Sequence, residues 1–251
     1  MEEKLIKKLN LVYKNLRIAV LSTDTLHHRY FINSIEKEEI EISKYIFETT
    51  SVKSKFKNHN FFRNEENSFE KENFFKNIPK NLNKKKLIEL KNINSKISLK
   101  ILEKSQFDIG IVFGCRKIKQ DVIKNFKYGL INIHRGVINK YRGLESDLWA
   151  LFFKDFKNIG VCLHLIDNNL DTGSIIEQKK IKIIKNMQIY QIRYFTTILA
   201  TKMIINLIKN NFKKLRHARK QKKFGKYFSF MPYYKKKKAK NHFDKYVKKL
   251  V

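Results

Sequence analysis

Cysteine is scarce in this chain of 251 residues: Cys115 and Cys162 are the only two, and each lies beside an apolar run. So few leave no disulfide framework and no cysteine-built metal site, and both read as small core residues of a reduced compartment. Long hydrophobic stretches are lacking too. The most apolar segment, Tyr194 to Ile208, is interrupted by Lys202 and is too short to span a bilayer. The opening MEEKLIKKLNLVYKNL has an early acidic pair and no apolar centre, so a signal peptide is not expected and a cytoplasmic location is. The adjacent His27 and His28 lack the spacing of a metal site, and no Cys or carboxylate cluster completes one, so no metal is expected. Acidic residues are also few, 23 against 55 Lys and Arg, for a formal net charge of +32. That balance would suit a nucleic-acid partner. Lys, Asn and Ile are abundant almost everywhere, however, and a general bias in residue usage explains the charge better than a dedicated surface does.

What is present is enough for a core. Hydrophobic residues make up 42% of the chain and aromatics 13%, a globular composition. Leu5, Leu9, Val12 and Leu16 recur at helical spacing and predict an N-terminal helix over 1–16. RIAVLS, IEISKYIF, FDIGIVFG, YGLINIH, IGVCLHLI and SIIEQKKIKI read as strands. Helices are expected over LHHRYFINSIEKE, over Ser95 to Lys104, near Gln120 to Asn125, over GLESDLWALFFK with Leu144, Leu148 and Leu151 on one face, and from Met187 to Lys209. This alternation predicts an α/β, Rossmann-like fold over 17–210, a mostly parallel sheet flanked by helices. In such sheets ligands gather at the carboxyl ends of the strands, where STDT, GCR and NIHRG all fall. Residues 51–86 break the pattern and read as an insertion. Residues 211–251 form a basic C-terminal extension, with sixteen Lys or Arg against the single Asp244. Its aromatics could grip RNA, although a solvated charged edge is the commoner meaning of such a run.

The least ordinary stretch is GLINIHRGVINKYRGLESDLWAL, Gly129 to Leu151. Asn132 and His134 lie two apart on a strand and so face one side. Alone, the pair is better explained by a structural Asn and a hydrogen-bonded core His. Its surroundings change that. Asn132 and His134 at a strand end, then Tyr141-Arg142-Gly143, then HLIDNNLDTG with Asp171, together resemble the 10-formyltetrahydrofolate-dependent formyltransferase family. The similarity runs over about Arg17 to Phe47 and Phe107 to Ile183. VLSTDTLHHRYF is similar to the start of amino-sugar-modifying members. Where most of the family has Pro, this chain has Arg135 and Asn139. The resemblance implies the formyltransferase fold and a folate-dependent transfer of formyl from 10-formyltetrahydrofolate, the expected co-substrate, to an amine.

By the same resemblance, Asn132 would stabilise the oxyanion, His134 would act as acid/base or electrophile, and Asp171 would orient His134. The folate slot would be lined by Phe113, Gly114, Arg116 and Ile118, and by the loop at Leu170 and Thr172. The acceptor would lie over STDTLHHRY. There Ser22, Thr23, Asp24 and Thr25 precede a helix start that could present N–H groups to a phosphate. His27, His28, Arg29 and the motif's Arg135 would add positive charge. A small anionic amine, such as an amino-sugar nucleotide, is the expected acceptor. Methionyl-tRNA or glycinamide ribonucleotide are alternatives within the family, and an RNA-binding protein acting through 211–251 is the alternative outside it.

Overall fold

Strand β1 (Ile18–Ser22) reads IAVLS, and all five of its residues are buried. A run buried on both faces must be covered on both, the condition of a parallel sheet held between two helix layers. The structure, a computed structural model, describes residues 16–250. The helix expected over 1–16 lies, except for Leu16, outside the described residues.

After β1 come α1 (Leu26–Lys37), β2 (Ile42–Glu48), α2 (Arg63–Phe74), β3 (Leu87–Leu90), α3 (Lys96–Ser105), β4 (Ile109–Phe113), α4 (Gln120–Ile123) and β5 (Leu130–His134). Then follow β6 (Tyr141–Gly143), α5 (Ser146–Phe152), β7 (Gly160–Leu165), β8 (Ile175–Lys180), α6 (Ile192–Asn210), β9 (Lys226–Phe228) and α7 (Tyr233–Val247). Seven strands make one sheet in the order β3-β2-β1-β4-β5-β7-β8. The five from β3 to β5 are parallel, β7 runs against them, and β8, antiparallel to β7, runs with them again. The Rossmann-like, mostly parallel expectation therefore holds, with the exception at one edge. The turn back from β7 to β8 is local: nine residues join them, too few for the crossover of a dozen or more that a parallel pair requires.

Alternation along β1 assigns the layers. Ile18 and Val20 point to the side packed by α1 and α6, through Phe31, Ile32, Ile35, Met203, Ile204 and Leu207. Ala19 and Leu21 point to the other side, packed by Leu102 of α3 and Val122 of α4. Each fully buried large aliphatic side chain contributes about 1.5–3 kcal/mol. Among the described residues no helix is long and apolar enough to cross a membrane.

The two irregular stretches are built into the body. In 51–86, α2 buries Glu66 and Glu70 against Arg193 of α6, whose Nε lies 2.6 Å from Glu70 Oε1 and whose Nη1 lies 2.7 Å from Glu66 Oε2. In 211–250, α7 lies on α5. Ala239, Phe243 and Val247 join Leu148, Trp149 and Leu151 in a third apolar cluster. Lys236 is 1% exposed; its ammonium reaches Asn58 O, Asn60 Oδ1 and Glu145 Oε1. Helix α5 starts later than the leucine spacing predicts. Glu145 has φ 52° and breaks the run, so Leu144 lies ahead of the helix and faces a cavity instead of sharing the buried face of Leu148 and Leu151.

Candidate active site

A cavity of about 520 Å³ opens at the carboxyl ends of β1, β4 and β5, where a parallel sheet presents strand-end side chains and free backbone groups. Asn132 and His134 enter it from β5. Asp171 arrives from the β7–β8 turn, in a left-handed conformation with φ 53°. Besides Asn132, three groups surround the Asp171 carboxylate. Its Oδ2 accepts the Gly143 backbone N–H at 2.7 Å and lies 3.6 Å from His134 Nδ1, and its Oδ1 lies 3.4 Å from His164 Nε2.

The hydrogen bonds fix the tautomers. His134 Nε2 is 2.9 Å from the Tyr141 carbonyl, which can only accept, so Nε2 carries the proton and Nδ1 faces Asp171. His164 Nδ1 donates to the Leu165 carbonyl at 2.8 Å, which leaves Nε2 to accept from Asn132 Nδ2 at 3.0 Å. The second hydrogen of that amide points to Asp171 Oδ1 at 3.3 Å. Burial lowers the His134 pKa, and Asp171, which pulls it up, does not outweigh that, so the ring is neutral at rest. Burial would raise the Asp171 carboxyl, yet the facing His134 and His164 rings and the Gly143 N–H together hold it well below the usual carboxylate range. The arrangement joins a fixed carboxylate, a neutral base and an amide donor at one hollow.

The remaining residues singled out by sequence divide in two. Thr23, His27, His28, Phe113, Gly114, Arg116, Ile118, Arg135 and Leu170 line the cavity. Ser22, Asp24, Thr25, Arg29 and Thr172 do not. The hydroxyl of Ser22 ties β1 to β4 by donating to Phe113 O at 2.7 Å. Arg29 and Asp24 neutralise each other in a two-pronged pair. Thr25 sits at the α1 start without a side-chain cap, its hydroxyl 3.0 Å from His27 Nδ1. Thr172 donates to Asp167 Oδ1 at 2.6 Å.

The positive charge expected of His27 and His28 is absent. Burial brings the His28 pKa down to about 3 and holds His27 well below its ordinary value, so both are neutral. His28 lies over Gly114, whose φ is 82° and where a Cβ would meet the ring at 2.6 Å; only glycine fits there. Arg116 is held by Glu48, with Nε 2.7 Å from Oε1. Arg135 stands 3.6 Å from Asp147 Oδ2.

Sequence reasoning takes His164 as a structural histidine and misses the Gly143 N–H and two aromatic side chains of the C-terminal segment, Tyr227 and Phe230, which also line the cavity. His164 is the direct antiparallel partner of Asn132, a register that cannot be read from either strand alone. Its place seven residues ahead of Asp171 was the one available signal. Among the described residues, no group of three His, Cys, Asp or Glu side chains is placed to hold a metal ion.

Comparison with known proteins bears on the family and the fold. The model of the formyl transferase family matches residues 16–208. Over 137 residues, 54% of the chain, the sequence is 28% identical to the methionyl-tRNA formyltransferase of Finegoldia magna. The matched part is 43% of that enzyme, so the chain spans less than half the length of this curated relative. A sugar N-formyltransferase from a Shewanella species superposes with a TM-score of 0.61 at 12% identity, covering 91% of this chain and 87% of that one. WlaRD, a sugar 3N-formyl transferase solved in the presence of dTDP and 5-N-formyl-THF, gives 0.52 at 22% identity, covering 85% and 69%. At these identities the superpositions establish a shared fold.

Proposed function

Because the chain belongs to the formyl transferase family, we propose that it moves a formyl group from 10-formyltetrahydrofolate to the primary amine of a small substrate, with an amino-sugar nucleotide as the expected acceptor. The observation that carries this reading is the meeting of Asn132, His134 and Asp171 at one cavity.

The uncharged amine attacks the formyl carbon, and the carbonyl becomes an oxyanion. Asn132 donates an amide hydrogen to that oxygen; the hydrogen now directed at Asp171, on the longer of its two contacts, is the one to be released. The proton lost by the amine goes to Nδ1 of His134, where Asp171 faces it and stabilises the imidazolium. Collapse re-forms the carbonyl, breaks the bond from carbon to the folate nitrogen, and returns the proton to that nitrogen. The Gly143 N–H holds Asp171 throughout. A folate would lie against Phe113, Gly114, Arg116 and Ile118 and the loop at Leu170, which supply apolar surface and backbone groups at the strand end. Superposition on WlaRD, with its formyl-THF and dTDP, supports both ligand classes.

An acceptor carried on RNA is the second reading. It is favoured by the exposed Lys237, Lys238, Lys245, Lys248 and Lys249 of the tail and by the methionyl-tRNA formyltransferase among the relatives. The test is release of tetrahydrofolate from 10-formyltetrahydrofolate against a panel of amino-sugar nucleotides, glycinamide ribonucleotide and methionyl-tRNA. Asn132→Ala should lower kcat by about 10²–10³ with the accepted substrate. Unaltered turnover in that variant would remove the assignment.

A further inference from the structure

The family match ends at residue 208, yet the segment beyond it forms part of the cavity wall. Strand β9 pairs in parallel with β6, setting Tyr227 beside Arg142 and Phe228 beside Gly143. The Phe228 carbonyl accepts the Leu144 N–H at 2.9 Å. Alternation then sends neighbouring side chains opposite ways. Phe228 goes inward and stacks on Trp149 at 4.8 Å, while Tyr227 faces the cavity and stays 46% exposed. Phe230, two residues beyond Phe228, lines the same cavity.

We infer that Tyr227 and Phe230 form an aromatic shelf that binds a flat ring carried beside an anionic group. Three observations lead there. The Tyr227 ring rests on backbone: a Cβ at Gly143 would meet it at 2.8 Å, so the absence of a side chain there gives the ring its seat. The shelf borders the reacting centre, since the same Gly143 donates its N–H to Asp171 at 2.7 Å. The segment is also cationic. Lys222 and Lys223 are exposed just ahead of β9, no acid occurs between residues 211 and 243, and the exposed Lys117 lines the same cavity. A ring stacked on Tyr227 would therefore share its cavity with a cation for a phosphate or carboxylate.

Two ligands of this chemistry belong to the proposed reaction. One is the folate, a ring system with glutamate carboxylates, and the other is the base and diphosphate of a nucleotide-linked acceptor. The shelf rests on the formyl-transfer reading only for which of these it serves. Titration calorimetry with tetrahydrofolate, with uridine and thymidine diphosphates, and with inorganic pyrophosphate as the anion without a ring separates them. Tyr227→Ala should weaken one ring-bearing probe by roughly tenfold, Tyr227→Phe should restore it, Phe230→Ala should weaken the same probe, and pyrophosphate should be unaffected. Loss confined to tetrahydrofolate assigns the shelf to the folate, and loss confined to the nucleotides assigns it to the acceptor. The inference is overturned if no ring-bearing probe binds the wild type more tightly than pyrophosphate, or if both Ala variants, folded by circular dichroism, bind all probes within twofold of wild type. Should ring binding persist on Tyr227 while no amine is formylated, the shelf stands and the transferase reading fails.

Discussion

Two walls of one cavity look alike in sequence and differ in chemistry. On the β1–α1 side, His27, His28 and Arg29 read as cations, but burial neutralises the histidines and Asp24 neutralises the arginine. On the β6–β9 side, a stretch that reads as a solvated basic run supplies an ordered strand, two cavity-facing aromatics and a buried ammonium. The lesson concerns where a charge ends up. A histidine buried without a counter-charge loses its charge, while the buried Lys236 ammonium is met by a carboxylate and two more oxygens that offset its burial.

The largest contrast between the walls should be in stability. Lys236→Ala leaves the Glu145 carboxylate and two oxygens of 51–60 without their ammonium, and breaking such a buried pair costs about 3–5 kcal/mol. Chemical denaturation should report that loss. Removing the exposed Asp24–Arg29 pair behind the β1–α1 wall by Asp24→Asn should cost no more than about 1 kcal/mol. Equal costs would erase the distinction.

A pH titration sharpens the comparison next. His28 has a folded pKa of about 3 against about 6.5 unfolded. The unfolded chain therefore takes up the proton first as the pH falls, so stability is full above about pH 6.5 and declines below it. His27 and His134, also lowered by burial, add to the same slope. His28→Gln should flatten the fall of Tm between pH 7 and pH 4. An unchanged slope would mean that this ring is not buried neutral.

The smallest expected effect lies at the hinge between tail and site. Gln221 donates its side-chain N–H groups to the carbonyls of Asp171 (3.2 Å) and Gly173 (2.9 Å). Gln221→Ala removes support from a left-handed residue, and the loss of about 1 kcal/mol of hydrogen bonding should lower kcat several-fold with KM little changed. Steady-state kinetics checks the split; a change in KM alone would assign Gln221 to binding.

How much was legible follows from the same contrast. IAVLS, IGIVF and LINIH announced a parallel sheet because they are largely apolar on both faces, and resemblance to the family's motifs pointed to Asn132, His134 and Asp171 together. The cross-strand pairing of His164 with Asn132 was hidden because an antiparallel register is a property of two strands and not of either alone. The β9–β6 pairing was hidden because three residues, KYF, carry too short a pattern to announce a strand. Leu144 misled because its helical spacing continues across the left-handed Glu145, a break that no periodicity registers. Burial of Lys236 was hidden for a simpler reason: in KKKK, nothing distinguishes the one lysine that meets Glu145 from the three beside it.

The most direct measurement follows an isotopic label from the formyl carbon of 10-formyltetrahydrofolate in wild type and in Asp171→Asn, with the accepted amine present. The expected result is label on the amine nitrogen in wild type and a rate lower by about a hundredfold or more in the variant, whose carboxamide cannot stabilise the imidazolium of His134. Label transferred at the wild-type rate by Asp171→Asn, or label recovered only as free formate in both proteins, would contradict the assignment.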